Sequence, residues 1–211
     1  MFSCEGGGPF RVGKALVLAS ASPRRQALLS SLGIYFEVMP AKGKEPLPDE
    51  GEAPAAYAQR MAVLKAQGIA NKRPDAIVIG ADTIVVQGTT ILGKPRSKDH
   101  ALAMLMDLCG TTHEVITGYS LIHKQGKRRI QASVSTLVEM PAQRRDILAA
   151  YVATGEPLDK AGSYAIQGAG GFLVRAIQGS YTNVVGLPLT EILNVLLDWE
   201  AIHPDTSEKV S

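Results

Sequence analysis

The chain has 211 residues, 45% hydrophobic and 20% charged, enough for one substantial core and ordinary for a soluble globular protein. A formal net charge of +2 is too small to recruit a nucleic-acid polymer, so anion recognition has to be local. Two cysteines, Cys4 and Cys109, give no disulfide framework and no zinc pattern, which points to a reducing compartment, and no stretch has the length and apolarity of a membrane span.

Residues 1–14, with Gly6-Gly7-Gly8-Pro9 and no sustained apolar run, read as a flexible leader and not a signal peptide. Ala15 to Leu18 reads as a buried strand. It runs into Ala19-Ser20-Ala21-Ser22-Pro23-Arg24-Arg25 and then a helix. Ser22 is placed to cap that helix, and Pro23 suits its first position. Two arginines at the positive end of a helix dipole are unfavourable unless an anion is present. With two serine hydroxyls they make either a phosphate site or an ordinary capped helix with a solvated arginine pair. Gly33 ends the helix, and 34–39 reads as a strand. Residues 40–54, rich in Pro, Gly and charge, form a loop long enough to cover a site, and Glu45 lies in it.

The spacing predicts a helix from Ala53 to about Asn71, with Tyr57, Met61, Leu64 and Ile69 near one face. Lys65 falls beside that face and by itself reads as a solvated or snorkelling lysine. Ala76 to Ala81 is a continuous apolar run, as expected of a central strand covered on both sides. It leads to Asp82-Thr83 and continues through Ile84-Val85-Val86. An aspartate there must be desolvated at a cost, paired, or bound to a metal. After a turn and the returning Ile91-Leu92 comes Gly93-Lys94-Pro95. Gly88 to Pro95 nearly spells a phosphate-binding loop but lacks the final hydroxyl and sits in a hairpin, which excludes that reading. Lys94 remains a cation one short hairpin from Asp82.

Ser97 caps a helix to about Leu108, ended by Gly110. Residues 112–123 and 128–139 form a hairpin across the basic turn 124–127. Pro141 opens a helix to about Ala153, closed by Gly155. From Leu158 to Gly168 the small residues suggest backbone passing close to something. The glycine spacing at 168–171 is wrong for a dinucleotide fingerprint. Phe172 to Ile177 reads as a strand. Asn183-Val184-Val185-Gly186 leads to Pro188, which opens an amphipathic helix through Trp199, and 201–211 is a polar tail. The four histidines are scattered without ligand spacing, Met104 and Met106 read as packing residues, and no serine or cysteine stands out as a nucleophile.

Three signals converge: the two-arginine helix start, Asp82, and lysines 65, 94 and 160. Cations neutralise a polyphosphate, while Asp82 and Glu45 could hold a divalent metal and orient water, which suits phosphoanhydride hydrolysis.

The motifs L-A-S-A-S-P-R-R-Q, G-A-D-T, G-K-P, D-K-A-G-S-Y-A-I-Q-G and N-V-V-G-L-P, in that order from about Ala15 to Trp199, resemble the Maf family of nucleoside triphosphate pyrophosphatases. The resemblance implies an α/β fold: a bent mixed β-sheet flanked by helices, of the Maf/ITPase-like type, with two lobes and a cleft, formed by residues 15–200 as one domain. It implies a cytoplasmic homodimer that hydrolyses a nucleotide between the α and β phosphates with a divalent metal cation, Mg2+ or Mn2+. It makes Asp82 the general base and a metal carboxylate, matches Glu45 to the family's loop glutamate at the metal, and assigns phosphate binding to Ser20, Arg25, Lys65 and Lys94. One departure is Lys44, where the family often has an acid. At three positions that separate subfamilies the chain has Arg24, Thr83 and Gln167, as in the dTTP/UTP group. A glutamine amide, with a donor and an acceptor, suits the O4/N3–H edge of uracil or thymine. The family is also associated with arrest of septum formation, so a nucleotide-binding regulator of cell division with incidental hydrolysis is the alternative.

Overall fold

The structure is a computed structural model and describes residues 8–43 and 45–206. Cys4, Lys44 and the ends of the leader and tail lie outside the described residues. In chain order the elements are β1 (Phe10–Val12), β2 (Leu16–Leu18), α1 (Pro23–Ser30), β3 (Glu37–Val38), α2 (Pro54–Ala70), β4 (Ile77–Gln87), β5 (Thr90–Leu92) and α3 (Lys98–Leu108). Then come β6 (Thr112–His123), β7 (Arg128–Glu139), α4 (Arg145–Ala153), β8 (Ala176–Gln178), α5 (Tyr181–Val185), α6 (Leu189–Asp198) and β9 (Ile202–Pro204). Short 3-10 turns at Glu156–Asp159, Ala161–Ser163 and Ala169–Leu173 fill the span between α4 and β8.

Seven strands form one mixed sheet in the order β3-β2-β4-β6-β7-β8, with β5 beside β4. β2 runs parallel to β3 and β4, and the pairs from β4 through β8 are antiparallel. The long strands β4 and β6 pass through two hydrophobic cores. Ile77, Ile79 and Leu121 pack with Leu29, Leu187 and Ile192 in one, whereas Val85 and Val115 pack with Leu105, Leu148 and Tyr151 in the other. This is the mixed, helix-flanked sheet that the family resemblance implies.

One edge of β4 is bonded to β6 along Ile77–Val86. The opposite edge is shared: β2 pairs with Ile77–Ile79 and β5 with Val85–Gln87. Residues 80–84 fall between them, so the sheet has a gap at the middle of its central strand. α2 lies unusually close to this place because two glycines face it. A Cβ on Gly80 would sit 2.4 Å from the Ala62 carbonyl oxygen, and one on Gly118, the cross-strand partner of Asp82, 2.2 Å from Ala58. Ala58, Ala62 and Ala66 supply the small helix face that fits them.

Several local expectations are corrected. Ser22 stands at the N-cap of α1, but its hydroxyl makes no capping bond, and its amide instead donates to Ser20 Oγ at 3.2 Å. The strand expected over 34–39 is only two residues long. Leu64 is half exposed and not on the buried face of α2. The helix expected from Pro141 begins at Arg145. The strand expected over Phe172–Ile177 is a 3-10 turn followed by β8, because the glycines of 168–171 turn the chain before it can extend. Phe10–Val12, within the expected leader, pairs antiparallel with Ile202–Pro204, within the expected tail. Neither three-residue stretch carries a period of its own that a reader of sequence could detect.

Candidate active site

The gap in the sheet opens into a cleft of about 1040 Å³ whose lining includes Ser20, Arg24, Arg25, Glu45, Lys65, Asp82, Thr83, Lys94 and Gln167. Every site residue singled out in the sequence therefore reaches one cavity, although they come from six separate segments.

Side-chain alternation along β4 sends neighbours to opposite faces. Asp82 faces α2, where Lys65 Nζ donates to its Oδ1 at 2.6 Å. The same Nζ lies 2.8 Å from Glu45 Oε1. Lys65 is thus a part-buried bridge between two carboxylates and not a solvated lysine, a role that only the packing of α2 on Gly80 and Gly118 reveals. Burial of Glu45 pushes its carboxyl up, but the hydrogen bond to Lys65 and the charges of Lys65, Lys94 and Arg25 outweigh it and hold the group below the usual range.

Thr83 faces the other way. Arg25 Nη2 donates to its Oγ1 at 2.9 Å, Nη1 to the Ala81 carbonyl at 2.9 Å and to Ser20 Oγ at 3.4 Å, and Nε to the Gly186 carbonyl at 2.7 Å. Arg25 therefore fills the sheet gap: it satisfies an Ala81 carbonyl that has no strand beside it. Burial pushes its guanidinium down from the usual value, while Asp82 pulls it up. It stays charged. Four of its five N–H groups serve the protein, so one remains for a ligand. The chain continues from Thr83, 2.9 Å from Thr117 Oγ1, to Thr117, which donates to the Asn183 carbonyl at 3.0 Å. The Asn183 side chain is fully buried and donates to the Val115 carbonyl and Thr136 Oγ1 at 3.0 and 2.9 Å. Thr117 and Asn183 hold this side of the site, and the sequence reading missed them. Their signal was a threonine inside an apolar strand and an asparagine opening the N-V-V-G-L-P motif.

The loop 40–53 is latched across α2. Tyr57 donates its hydroxyl to the Pro46 carbonyl at 3.1 Å, and Arg60 bonds Glu52 at 2.6 and 2.7 Å and the Leu47 carbonyl at 3.2 Å. The Arg60 hydrogen bond holds Glu52 down to about 2. Sequence reading foresaw the covering loop but not its latches.

Arg24 and Lys94 line the cleft without a hydrogen bond or ion pair among the described residues. Lys160 also lines it and is ion-paired with Asp159. Gln167 is exposed, and its Nε2 donates to the Tyr181 hydroxyl at 3.3 Å. Five cations thus line the cleft together with three carboxylates, Glu45, Asp82 and Asp159, an arrangement suited to neutralising a polyphosphate.

The family model described as Maf-like protein matches residues 15–199. The chain belongs to the Maf family. Its relatives within that family are similar along nearly their whole length. A protein of Nitratidesulfovibrio vulgaris named dTTP/UTP pyrophosphatase is 49% identical over 196 residues, covering 93% of each chain. One of the same name from Syntrophotalea carbinolica is 45% identical over 212 residues, 99% of this chain and 96% of that one. Another from Syntrophus aciditrophicus is 48% identical over 87% of this chain and 89% of its own. A solved nucleoside-triphosphatase / dITP/XTP pyrophosphatase from Mycobacterium abscessus aligns with 60% of this Maf chain and 74% of its own, at 12% identity and a TM-score of 0.37. Among the described residues no helix is long and apolar enough to cross a membrane.

Asp82 Oδ1 and Glu45 Oε1 converge on one ammonium, at 2.6 and 2.8 Å from Lys65 Nζ. Magnesium needs only one or two protein carboxylates when a substrate's phosphates and waters supply the rest. The donor set of Asp82 and Glu45 fits such an ion.

Proposed function

We propose that this Maf chain hydrolyses dTTP and UTP between the α and β phosphates, releasing the nucleoside monophosphate and pyrophosphate. The observation that carries the reading is Asp82: a buried carboxylate in the gap of the central strand, at a cleft whose lining also carries Arg24, Arg25, Lys65, Lys94 and Lys160. Its Oδ1 is held by Lys65, which leaves Oδ2 to take a proton from water. As that water's oxygen bonds to the α phosphorus, the bond from phosphorus to the bridging oxygen breaks and pyrophosphate leaves with the electron pair. General-base help of this kind contributes about 10²–10⁴-fold.

Ser20 Oγ already accepts from Ser22 and Arg25, so its own hydrogen is available to a phosphate oxygen. The remaining N–H of Arg25 and the ammonium of Lys94 complete the phosphate contacts. Asp82 and Glu45 are the residues that would hold a divalent cation. When bound it polarises the phosphoryl oxygens and acidifies water. Arg24, Thr83 and Gln167 set the nucleobase preference, Gln167 by facing the O4/N3–H edge and Thr83 by holding Arg25 in register.

The test is incubation with Mg2+ and a panel of dTTP, UTP, CTP, GTP, 7-methyl-GTP and ATP, with product identification and Asp82→Asn alongside. Pyrophosphate with dTMP or UMP, lost in the variant, is the expected result. Orthophosphate as product refutes the bond assignment. Tight nucleotide binding with no turnover turns the reading to a nucleotide-binding regulator.

A further inference from the structure

The glycines at 168–171 have no part in the chemistry above, yet they are cinched onto one carboxylate. Glu156 Oε2 accepts from the Ala169 amide at 3.0 Å, and Oε1 accepts from the Gly170 amide at 3.0 Å and the Tyr151 hydroxyl at 2.9 Å. A Cβ on Gly168, whose φ is +87°, would lie 2.8 Å from Glu156 Oε2, and one on Gly170 would lie 2.4 Å from the Tyr151 hydroxyl. Only glycine lets the loop close this far onto Glu156. Burial pushes the Glu156 carboxyl up, and the two amides and Tyr151 hold it below the usual range.

Gln167 stands at the head of this loop and lines the cleft. Its backbone runs into the Glu156 clamp two residues on, and its amide is tethered to Tyr181. Such fixing matters for a glutamine that reads a pyrimidine. Uracil and thymine offer O4 as acceptor and N3–H as donor, and cytosine offers the reverse, N4–H2 as donor and N3 as acceptor. An amide turned through half a circle exchanges its own donor and acceptor. A freely turning glutamine therefore suits both edges, and discrimination requires that it be held.

We infer that Glu156 and Tyr181 are positioning residues that fix the Gln167 amide and thereby set the preference for uracil and thymine over cytosine, which rests on the base-reading role proposed for Gln167. Neither needs to touch the nucleotide.

The test measures kcat and KM for UTP and CTP in wild type, Glu156→Gln, Tyr181→Phe, Gln167→Ala and the two double variants. An amide at 156 has one acceptor oxygen in place of two and cannot satisfy both loop N–H groups. The UTP/CTP ratio of kcat/KM should fall on the order of tenfold in Glu156→Gln and severalfold in Tyr181→Phe, mainly through a higher KM for UTP. In the Gln167→Ala background neither change should move the ratio further. A merely structural role would lower activity on both nucleotides alike and leave the ratio intact. If Glu156→Gln does not fold, Tyr181→Phe, which removes one hydroxyl from a half-exposed side chain, carries the comparison. Wild-type preference that survives both single changes, or an effect that adds fully in the Gln167→Ala background, overturns this inference alone. A wild type with no preference for UTP over CTP overturns the role of Gln167 and this inference with it.

Discussion

The two ends of the cleft are built differently. Where Asp82, Lys65 and Arg25 meet, the side chains stand on β4, α2 and α1 and bond one another or backbone groups. Where Arg24, Lys94 and Gln167 stand, two cations make no hydrogen bond or ion pair among the described residues and the amide hangs from a glycine loop. Regular elements hold the reacting groups to a fraction of an ångström, as bond-breaking chemistry needs. Of the residues that choose between substrates, Arg24 and Thr83 stand on α1 and β4, whereas Gln167 stands on a loop, where a change of residue does not unseat the core.

The sharpest way to break this contrast is Asp82→Asn. Turnover should fall about 10³-fold with nucleotide binding retained, measured by pyrophosphate release and by titration calorimetry. A loss of only a few-fold would move the chemistry elsewhere in the cleft. Arg25→Lys comes next: an ammonium cannot span the Ala81 and Gly186 carbonyls and Thr83 at once. Chemical denaturation should show a loss of about 3 kcal/mol, because buried acceptors in the sheet gap are left unpaired.

The loop side also rests on His113, which is buried with Nε2 2.7 Å from the hydroxyl of Tyr164, a cleft-lining residue. Burial pushes His113 from 6.5 down to about 4. An unfolded chain takes up a proton as pH falls below that ordinary value, and the folded one does not until pH nears the lowered value. Stability should therefore fall by about 3 kcal/mol across this window and then level off. His113→Gln should remove that slope from denaturation curves taken at several pH values.

Gln167→Glu should lower kcat/KM for dTTP and UTP about tenfold with little change in stability, since a carboxylate has no donor for O4. If stability falls instead, the loop end is structural and the contrast fails. The smallest effect is Ser22→Ala. Its hydroxyl makes no cap bond, so thermal denaturation should show only a few tenths of a kcal/mol, against about 1 kcal/mol for Ser97→Ala, whose hydroxyl accepts from the His100 amide at 3.1 Å.

By itself the sequence determined the long elements and the chemistry-bearing residues. The hairpin of β6 and β7, the buried run of β4 and the helix of α2 follow from periods of two and 3.6 that depend on near neighbours. Asp82 stood out because a charge inside an apolar run demands an explanation wherever the run ends up. Tertiary structure alone decided what Lys65 and Arg25 do. One became a bridge because α2 rides on Gly80 and Gly118. The other became a strut because β2 ends before β5 begins and leaves the Ala81 carbonyl unpaired. It also decided the pairing of β1 with β9, the latches of the 40–53 loop and the clamp on the 168–171 loop. These features depend on groups from about ten to nearly two hundred residues apart meeting at hydrogen-bond distance, and no local pattern encodes that meeting.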